Sequence, residues 1–273
     1  MQIAFDIGII FLAYLFGSIP FGLLIVKLKT GKDIRKVESG RTGGTNAMRA
    51  AGFWAGFATA LLDILKGAVG VWVAQWLTPN SEWVHVLAPI AAILGHNYSI
   101  FLAERGENGK FRLRGGAGGA PSVGGAMGLW PGSILFILPL GMLTFFTVGI
   151  ASITTMAVAL FAIIGFAVRA LFFDGQWVDV WYGIGAEILL IWALRPNLKK
   201  LFEGNERVVK YSLNGWLRAK REGPGSGKVN RVTWMQKETV EKQAVSFFYR
   251  SPIMFYGLVF LIMRAYPYVG KKS

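Results

Sequence analysis

The chain has 273 residues, 53% hydrophobic and only 16% charged, where a soluble domain carries about 25% charged residues; lipid is the expected solvent. Its 29 Lys and Arg against 15 Asp and Glu give a formal charge of +14, which in so apolar a chain points to anionic headgroups and phosphorylated substrates rather than nucleic acid. The absence of cysteine excludes disulfides, Fe–S ligation and thiol chemistry, and two histidines without ligand spacing leave neither metal nor cofactor expected.

A spanning helix needs ~20 mainly apolar residues. The first runs from about Ile3 to Val26. Its start, MQIAFDIG, lacks the basic region and cleavage site of a signal peptide, so it reads as a retained span. Gly17-Ser18-Ile19-Pro20 should kink it unless neighbouring groups satisfy the freed carbonyls. A polar segment follows over 27–49. The second span covers about 50–77, the third about 83–102, and a charged, Gly-rich loop 103–119. The apolar stretch 120–172 breaks at Pro131-Gly132 and at 147–152, giving a short fourth span, a fifth near 133–148 and a sixth near 153–172. The seventh covers about 180–194. No segment alternates in the way a membrane barrel strand does.

Charge orients this bundle. Residues 27–49 carry seven Lys and Arg against two acids, 104–114 four against two, and 195–231 ten against three. The turns at 78–82 and 173–179 carry no Lys or Arg. Seven helices put all three basic segments on one side, which the positive-inside rule makes cytoplasmic, with the N-terminus outside. The fold class is therefore all-α: a polytopic, seven-transmembrane-helix bundle over 1–202 with cytoplasmic loops. Residues 203–273 form a basic C-terminal extension with a cytoplasmic end. Within it, 244–263 is apolar but interrupted by Arg250, Ser251 and Pro252, and reads as interfacial or re-entrant ahead of an eighth span.

The polar segments hold the chemistry. The first contains SGRTGGTN (39–46) and Arg49. Hydroxyls among glycines leave backbone N–H groups exposed, a helix starting near Thr45 aims its positive end there, and Arg49 is a bidentate phosphate donor. A flexible loop with an N-cap and a headgroup arginine has the same sequence. The second contains His96, Arg105, Lys110, Arg112, Arg114 and GGAGG (115–119). Such glycines admit close phosphate approach or tight helix packing, and His96 reads equally as a structural residue. Asp63 and Lys66, three apart inside a span, mark either function or mutual neutralisation. Glu187 stands in the seventh span without an obvious partner. No His-x4-Asp acyltransferase device and no Walker motif occurs.

Taken together these segments resemble the bacterial integral-membrane acyl-phosphate:glycerol-3-phosphate acyltransferase family over about residues 8–206. The resemblance rests on YLFGSIPFG (14–22), GKDIR (31–35), Ser39-Gly40 through Thr45-Asn46 and Arg49, LDILKG (62–67), LGH (94–96), Gly115-Gly116, ASIT (151–154), and Asn197 with Gly204 and Glu206. Any one is weak; the order makes the set strong. It implies a seven-helix fold in the cell (inner) membrane with a cytoplasmic site. There the 1-hydroxyl of sn-glycerol 3-phosphate attacks a fatty acyl phosphate, giving 1-acylglycerol 3-phosphate, the first step of phospholipid synthesis. It further implies an upstream enzyme that makes the acyl phosphate. By resemblance Ser39 and Arg49 are catalytic and hold phosphate, while Thr45, Asn46, His96, Gly115, Gly116, Ser152 and Asn197 bind or place substrate.

The chain departs from the family pattern in four places. Ala117 stands at the lysine of Gly-Gly-Lys-Gly, Arg41 replaces the asparagine after Ser-Gly, Leu194 replaces a histidine, and about a dozen extra residues lie near 103–114. Arg41, Lys110, Arg112 and Arg114 are the candidates for a substitute cation. A second reading is a relative with altered substrate or lost activity that serves as a membrane partner protein, and a third is a transporter or channel.

Overall fold

The computed structural model describes residues 1–105, 109–209 and 212–222. In chain order these form α1 (Gln2–Gly17), α2 (Phe21–Thr30), a 3-10 turn (Ile34–Lys36), α3 (Gly44–Ala51), α4 (Phe53–Leu77), α5 (Glu82–Asn97), β1 (Ser99–Arg105), β2 (Phe111–Arg114), α6 (Gly119–Leu129), a 3-10 turn (Pro131–Ser133), α7 (Ile134–Val148), α8 (Ala151–Phe172), α9 (Trp177–Phe202) and α10 (Leu213–Glu222). The expected segment 244–263 lies outside the described residues.

Among the described residues, five helical stretches are long and apolar enough to cross a bilayer: Gln2–Thr30, Phe53–Leu77, Pro131–Val148, Ala151–Phe172 and Trp177–Phe202. The expected third and fourth spans exist as helices but are short, with 16 residues in α5 and 11 in α6. At 1.5 Å per residue they reach roughly 24 and 16 Å, against ~30 Å of hydrocarbon.

The kink expected in the first span separates α1 from α2. Its carbonyls are satisfied from neighbouring elements: the Ser99 hydroxyl donates to Ser18 O at 2.5 Å, and the Lys66 ammonium donates to Ile19 O at 3.0 Å. Lys66 is also 3.0 Å from Asp63 Oδ1, and both side chains are 1% exposed. In lipid the alternative for each of these groups is an unmet hydrogen bond.

The fold departs from the sequence expectation in two places. The all-α expectation fails at residues 99–114, where β1 and β2 pair antiparallel with Ala103 opposite Leu113, Glu104 opposite Arg112 and Arg105 opposite Phe111. Ser99, pinned to the α1–α2 break, sends the chain out of α5 extended, and the Arg105 guanidinium lies 5.4 Å from the Phe111 ring across the ribbon. The second correction concerns α9, which continues through Pro196 to Phe202 rather than ending at Leu194. Proline removes the N–H that Trp192 O would accept; the Arg195 Nε–H fills that place at 2.9 Å.

Two compact units are present, residues 1–198 with 207–221 and residues 199–206 with 222–273. In the first, α4 packs on α6 and α5, and α1 on α5. Gly67 and Gly124 make the α4–α6 approach possible, since a Cβ on Gly67 would run into Pro121 O and one on Gly124 into Ile64 O. Ile93, Val123, Ile137, Phe166, Tyr182 and Leu190 form the central core, and the Tyr182 hydroxyl donates to Ser122 O at 2.6 Å. A separate cluster of Val26, Ile34 and Ala47 underlies the polar segment that follows α2. In the second unit the described residues turn at Gly204 (φ +69°) after a Lys199–Glu203 ion pair.

Candidate functional site

Loop one (residues 31–43) is a built structure. Asp33 caps the 3-10 turn by accepting from Arg35 N at 2.9 Å and pairs with the Arg35 guanidinium at 2.7 Å. That hydrogen bond holds the Asp33 carboxyl down at about 2 and raises Arg35. Asn46, 2% exposed, staples the loop from α3: its Nδ2 donates to Ile34 O (3.2 Å), Val37 O (3.0 Å) and Arg41 O (2.8 Å). Its part is thus in the shape of the loop. Ser39 is exposed at the loop's edge, its hydroxyl accepting from Arg41 N at 3.4 Å.

The glycine strip, residues 115–118, lies against the end of α5. Gly116 N donates to His96 O at 2.8 Å, and Thr42 N reaches Gly115 O at 3.4 Å. A Cβ on Gly115 would meet the His96 and Asn97 carbonyls, and one on Gly116 would overlap the His96 ring. These glycines are required by contact with the helix end, whatever else approaches them. His96 in turn sits between the strip and Asp63, its Nδ1 3.5 Å from Asp63 Oδ1. Asp63, Lys66 and His96, which the sequence offers as separate puzzles, form one buried group.

Arg41 connects the parts. Its guanidinium donates to Gly116 O (3.0 Å), to Ala193 O on α9 (2.6 Å) and to Asn197 Oδ1 (3.0 Å). Loop one, the strip and the end of α9 therefore meet at one side chain. These three acceptors are neutral oxygens, and together they fix the position of the guanidinium. Arg114 pairs with Glu104 across the ribbon and comes beside Gly40, its Nη1 3.9 Å from where a Cβ there would stand. Lys110 and Arg112 are exposed on the ribbon.

Ser152, 2% exposed, is in the first turn of α8. Thr155, one turn on, lies against Gly119 at the start of α6, which brings that end of α8 to the strip. Thr45 is half-buried in the first turn of α3. Arg49, in its last turn, is exposed and has no ion pair among the described residues. Ala193 O is a site atom to which no side-chain motif points, being a backbone carbonyl of α9 that Arg41 reaches.

A cavity of about 260 Å³ at the other helix ends is lined by Gln75, Glu82, His85, Arg169, Asp174 and Asp179 among others. Arg169 pairs with Asp179 at 3.4 Å and Gln176 donates to Glu82 at 2.7 Å. Three carboxylates against one guanidinium make this a poor place for a phosphate.

The family model for glycerol-3-phosphate acyltransferase matches residues 7–204. A glycerol-3-phosphate acyltransferase of Thermus thermophilus is 38% identical over 196 residues, 72% of this chain and 91% of that protein. One of Desulfovibrio desulfuricans is 33% identical over 216 residues, 79% of this chain and 87% of its own. Among solved structures, the glycerol 3-phosphate form of PlsY (YgiH), an integral membrane glycerol 3-phosphate acyltransferase, superposes with a TM-score of 0.63 at 28% identity, covering 75% of this chain and 95% of that one. The lysophosphatidic acid form of the same enzyme gives 0.62 at 26% identity, covering 78% and 99%.

Proposed function

The chain belongs to the glycerol-3-phosphate acyltransferase family, and from that premise we propose that it transfers a fatty acyl group from an acyl phosphate to the 1-hydroxyl of glycerol 3-phosphate, with Arg41 as the cation at the centre of the site. The hydroxyl oxygen bonds to the acyl carbon, the acyl–phosphate bond breaks, and the departing phosphate takes the hydroxyl proton. The products are 1-acylglycerol 3-phosphate and inorganic phosphate. No covalent intermediate on the protein is needed. What the protein supplies is charge and backbone N–H groups placed for two phosphates.

The observation that carries this reading is the three-way bond of Arg41 to Gly116 O, Ala193 O and Asn197 Oδ1. It brings a guanidinium to the residue beside Ala117, where the family pattern has lysine. Ser39 and Arg49 hold phosphate from the loop and α3, Ser152 and Asn197 place glycerol 3-phosphate, and Gly115 and Gly116 offer backbone at close range. His96, Thr45 and Asn46 act by supporting the strip and the loop. Arg114 braces the loop's outer side through Glu104, which also faces Arg35.

The same contacts support seven crossings. Loop one, the strip and the end of α9 lie together, so the chain returns to one face after α4 and α5, and again after α6 to α9. Each return needs an even number of crossings, so α5 and the 11-residue α6 count despite their length. The basic charge of that face makes it cytoplasmic, in the cell (inner) membrane, with 203–273 on the same side.

The test is acyl transfer from palmitoyl phosphate to labelled glycerol 3-phosphate by purified protein. Wild type forms 1-acylglycerol 3-phosphate. Arg41→Ala lowers kcat/KM by at least ~100-fold, the scale of losing one preorganised charged donor. Arg41→Asn with Ala117→Lys, which restores the family pattern, recovers most of it. No product from wild type beside an active relative would end the proposal. An unchanged rate in Arg41→Ala would remove Arg41 from the site.

A further inference from the structure

The family match ends at residue 204, yet the next described helix is attached to the bundle. Val209 N donates to Gly149 O at 2.7 Å, and Asn214 Nδ2 donates to Val148 O at 2.9 Å. These acceptors are the last carbonyl of α7 and the first of the turn into α8. Gly149 has φ +69°, and a Cβ there would run into Ser212, so the attachment is close. Ser212 then starts α10: Gly215 N donates to its hydroxyl at 3.0 Å and Trp216 N to its carbonyl at 2.8 Å. A corner between two spans marks the edge of the hydrocarbon, and α10 begins there.

The sequence of α10, LNGWLRAKRE, puts Leu213, Trp216, Leu217 and Lys220 on one side at helical spacing. Leu213, Trp216 and Leu217 are 52%, 55% and 39% exposed, much like the lipid-facing residues of the spans. The Lys220 ammonium lies 5.2 Å from the Trp216 ring, the arrangement of an aromatic at headgroup depth with a snorkelling lysine beside it. Arg218 and Arg221 add two cations against the one acid, Glu222. At ten residues the helix is far too short to span. An apolar face without acids, carried on a basic helix fixed at a span corner, fits the interfacial plane of an anionic leaflet.

We propose that α10 is an interfacial helix that binds the anionic headgroups of the leaflet next to the α7–α8 corner through Leu213, Trp216, Leu217 and Lys220. The proposal rests on α7 and α8 being spans and is independent of the chemistry at Arg41. It gives this chain a lipid-charge contact outside the family-matched region, on the corner that leads into Ser152.

The chain has no cysteine, so single labels can be placed in the full-length protein. Leu217→Cys and, on the flank turned away, Ala219→Cys are spin-labelled and studied in nanodiscs of equal phosphatidylglycerol and phosphatidylcholine, then of phosphatidylcholine alone. The ratio of oxygen to water-soluble nickel-chelate accessibility is expected to be at least roughly threefold higher at 217 than at 219 in the anionic discs. That difference should shrink in phosphatidylcholine, at high salt, and with Lys220→Glu added. Equal values at 217 and 219 in anionic discs would place α10 in water. A label at 217 shielded from both reagents would mean that protein covers it, and a contrast blind to lipid charge would mean a purely apolar anchor; each result overturns the proposal. Acyl transfer measured in the same discs reports on the site separately.

Discussion

Arg49 and Arg41 stand close in the chain but in opposite surroundings. Arg41 is held by three oxygens from two other segments, whereas Arg49 is exposed on α3 and has no ion pair among the described residues. An exposed side chain contributes little to stability, so any large effect of Arg49 must come from substrate. Arg49→Ala should lower kcat/KM for acyl transfer at least ~100-fold, the cost of a lost phosphate donor, while the melting curve stays in place; an unchanged rate would assign Arg49 to headgroups alone. At this scale the sequence went part of the way. It offers Arg41 among four candidate cations without ranking them, because the deciding contacts join residues 75 to 156 positions apart. It does not show what Asn46 and His96 touch: loop carbonyls for the one, and Asp63 and the strip for the other.

The elements follow from pattern wherever the pattern is long. The α7–α8 corner and the break between α1 and α2 fall where Gly, Ser and Pro cluster. The sequence pattern puts 99–102 in the third span and 103–119 in a loop, since two short strands with charged turns leave a weak period, and it ends the seventh span at Leu194, since a side chain that replaces the N–H missing at Pro196 cannot be foreseen. The glycine run at 115–119 is legible in the sequence as a place for phosphate approach or for helix packing; within α6 the structure gives the glycines a packing partner. A side chain at Gly124 would press on the Ile64 carbonyl, and backbone cannot move aside as a rotamer can. Gly124→Val should therefore destabilise the protein by roughly 1–3 kcal/mol or more in detergent unfolding. Gly43→Ala, with open space around it, should change stability by less than about 0.5 kcal/mol. Equal effects would show that α4 and α6 do not depend on this approach.

The whole molecule is sided. Charge counted along the chain and contacts between distant loops lead separately to the same grouping of basic segments, and the second does not use the first. Asn80 and Lys110, both exposed, lie on opposite faces in this reading. In intact cells a membrane-impermeant maleimide should label Asn80→Cys, and should label Lys110→Cys only after the membrane is opened. The reverse pattern would invert the molecule and put the site outside the cell.

The interruption of the first span bears on how freely this architecture can change. Consecutive carbonyls at Ser18 and Ile19 receive the Ser99 hydroxyl and the Lys66 ammonium. Straightening the helix by one substitution, Pro20→Ala for example, would turn those carbonyls back toward their own helix, leaving the Ser99 hydroxyl without its acceptor and Lys66 with Asp63 alone. The defect is thus locked in place by what leans on it: a mutational walk toward a continuous helix would have to alter three separate elements at once, and the root of the ribbon beside the site shifts with any step that tries.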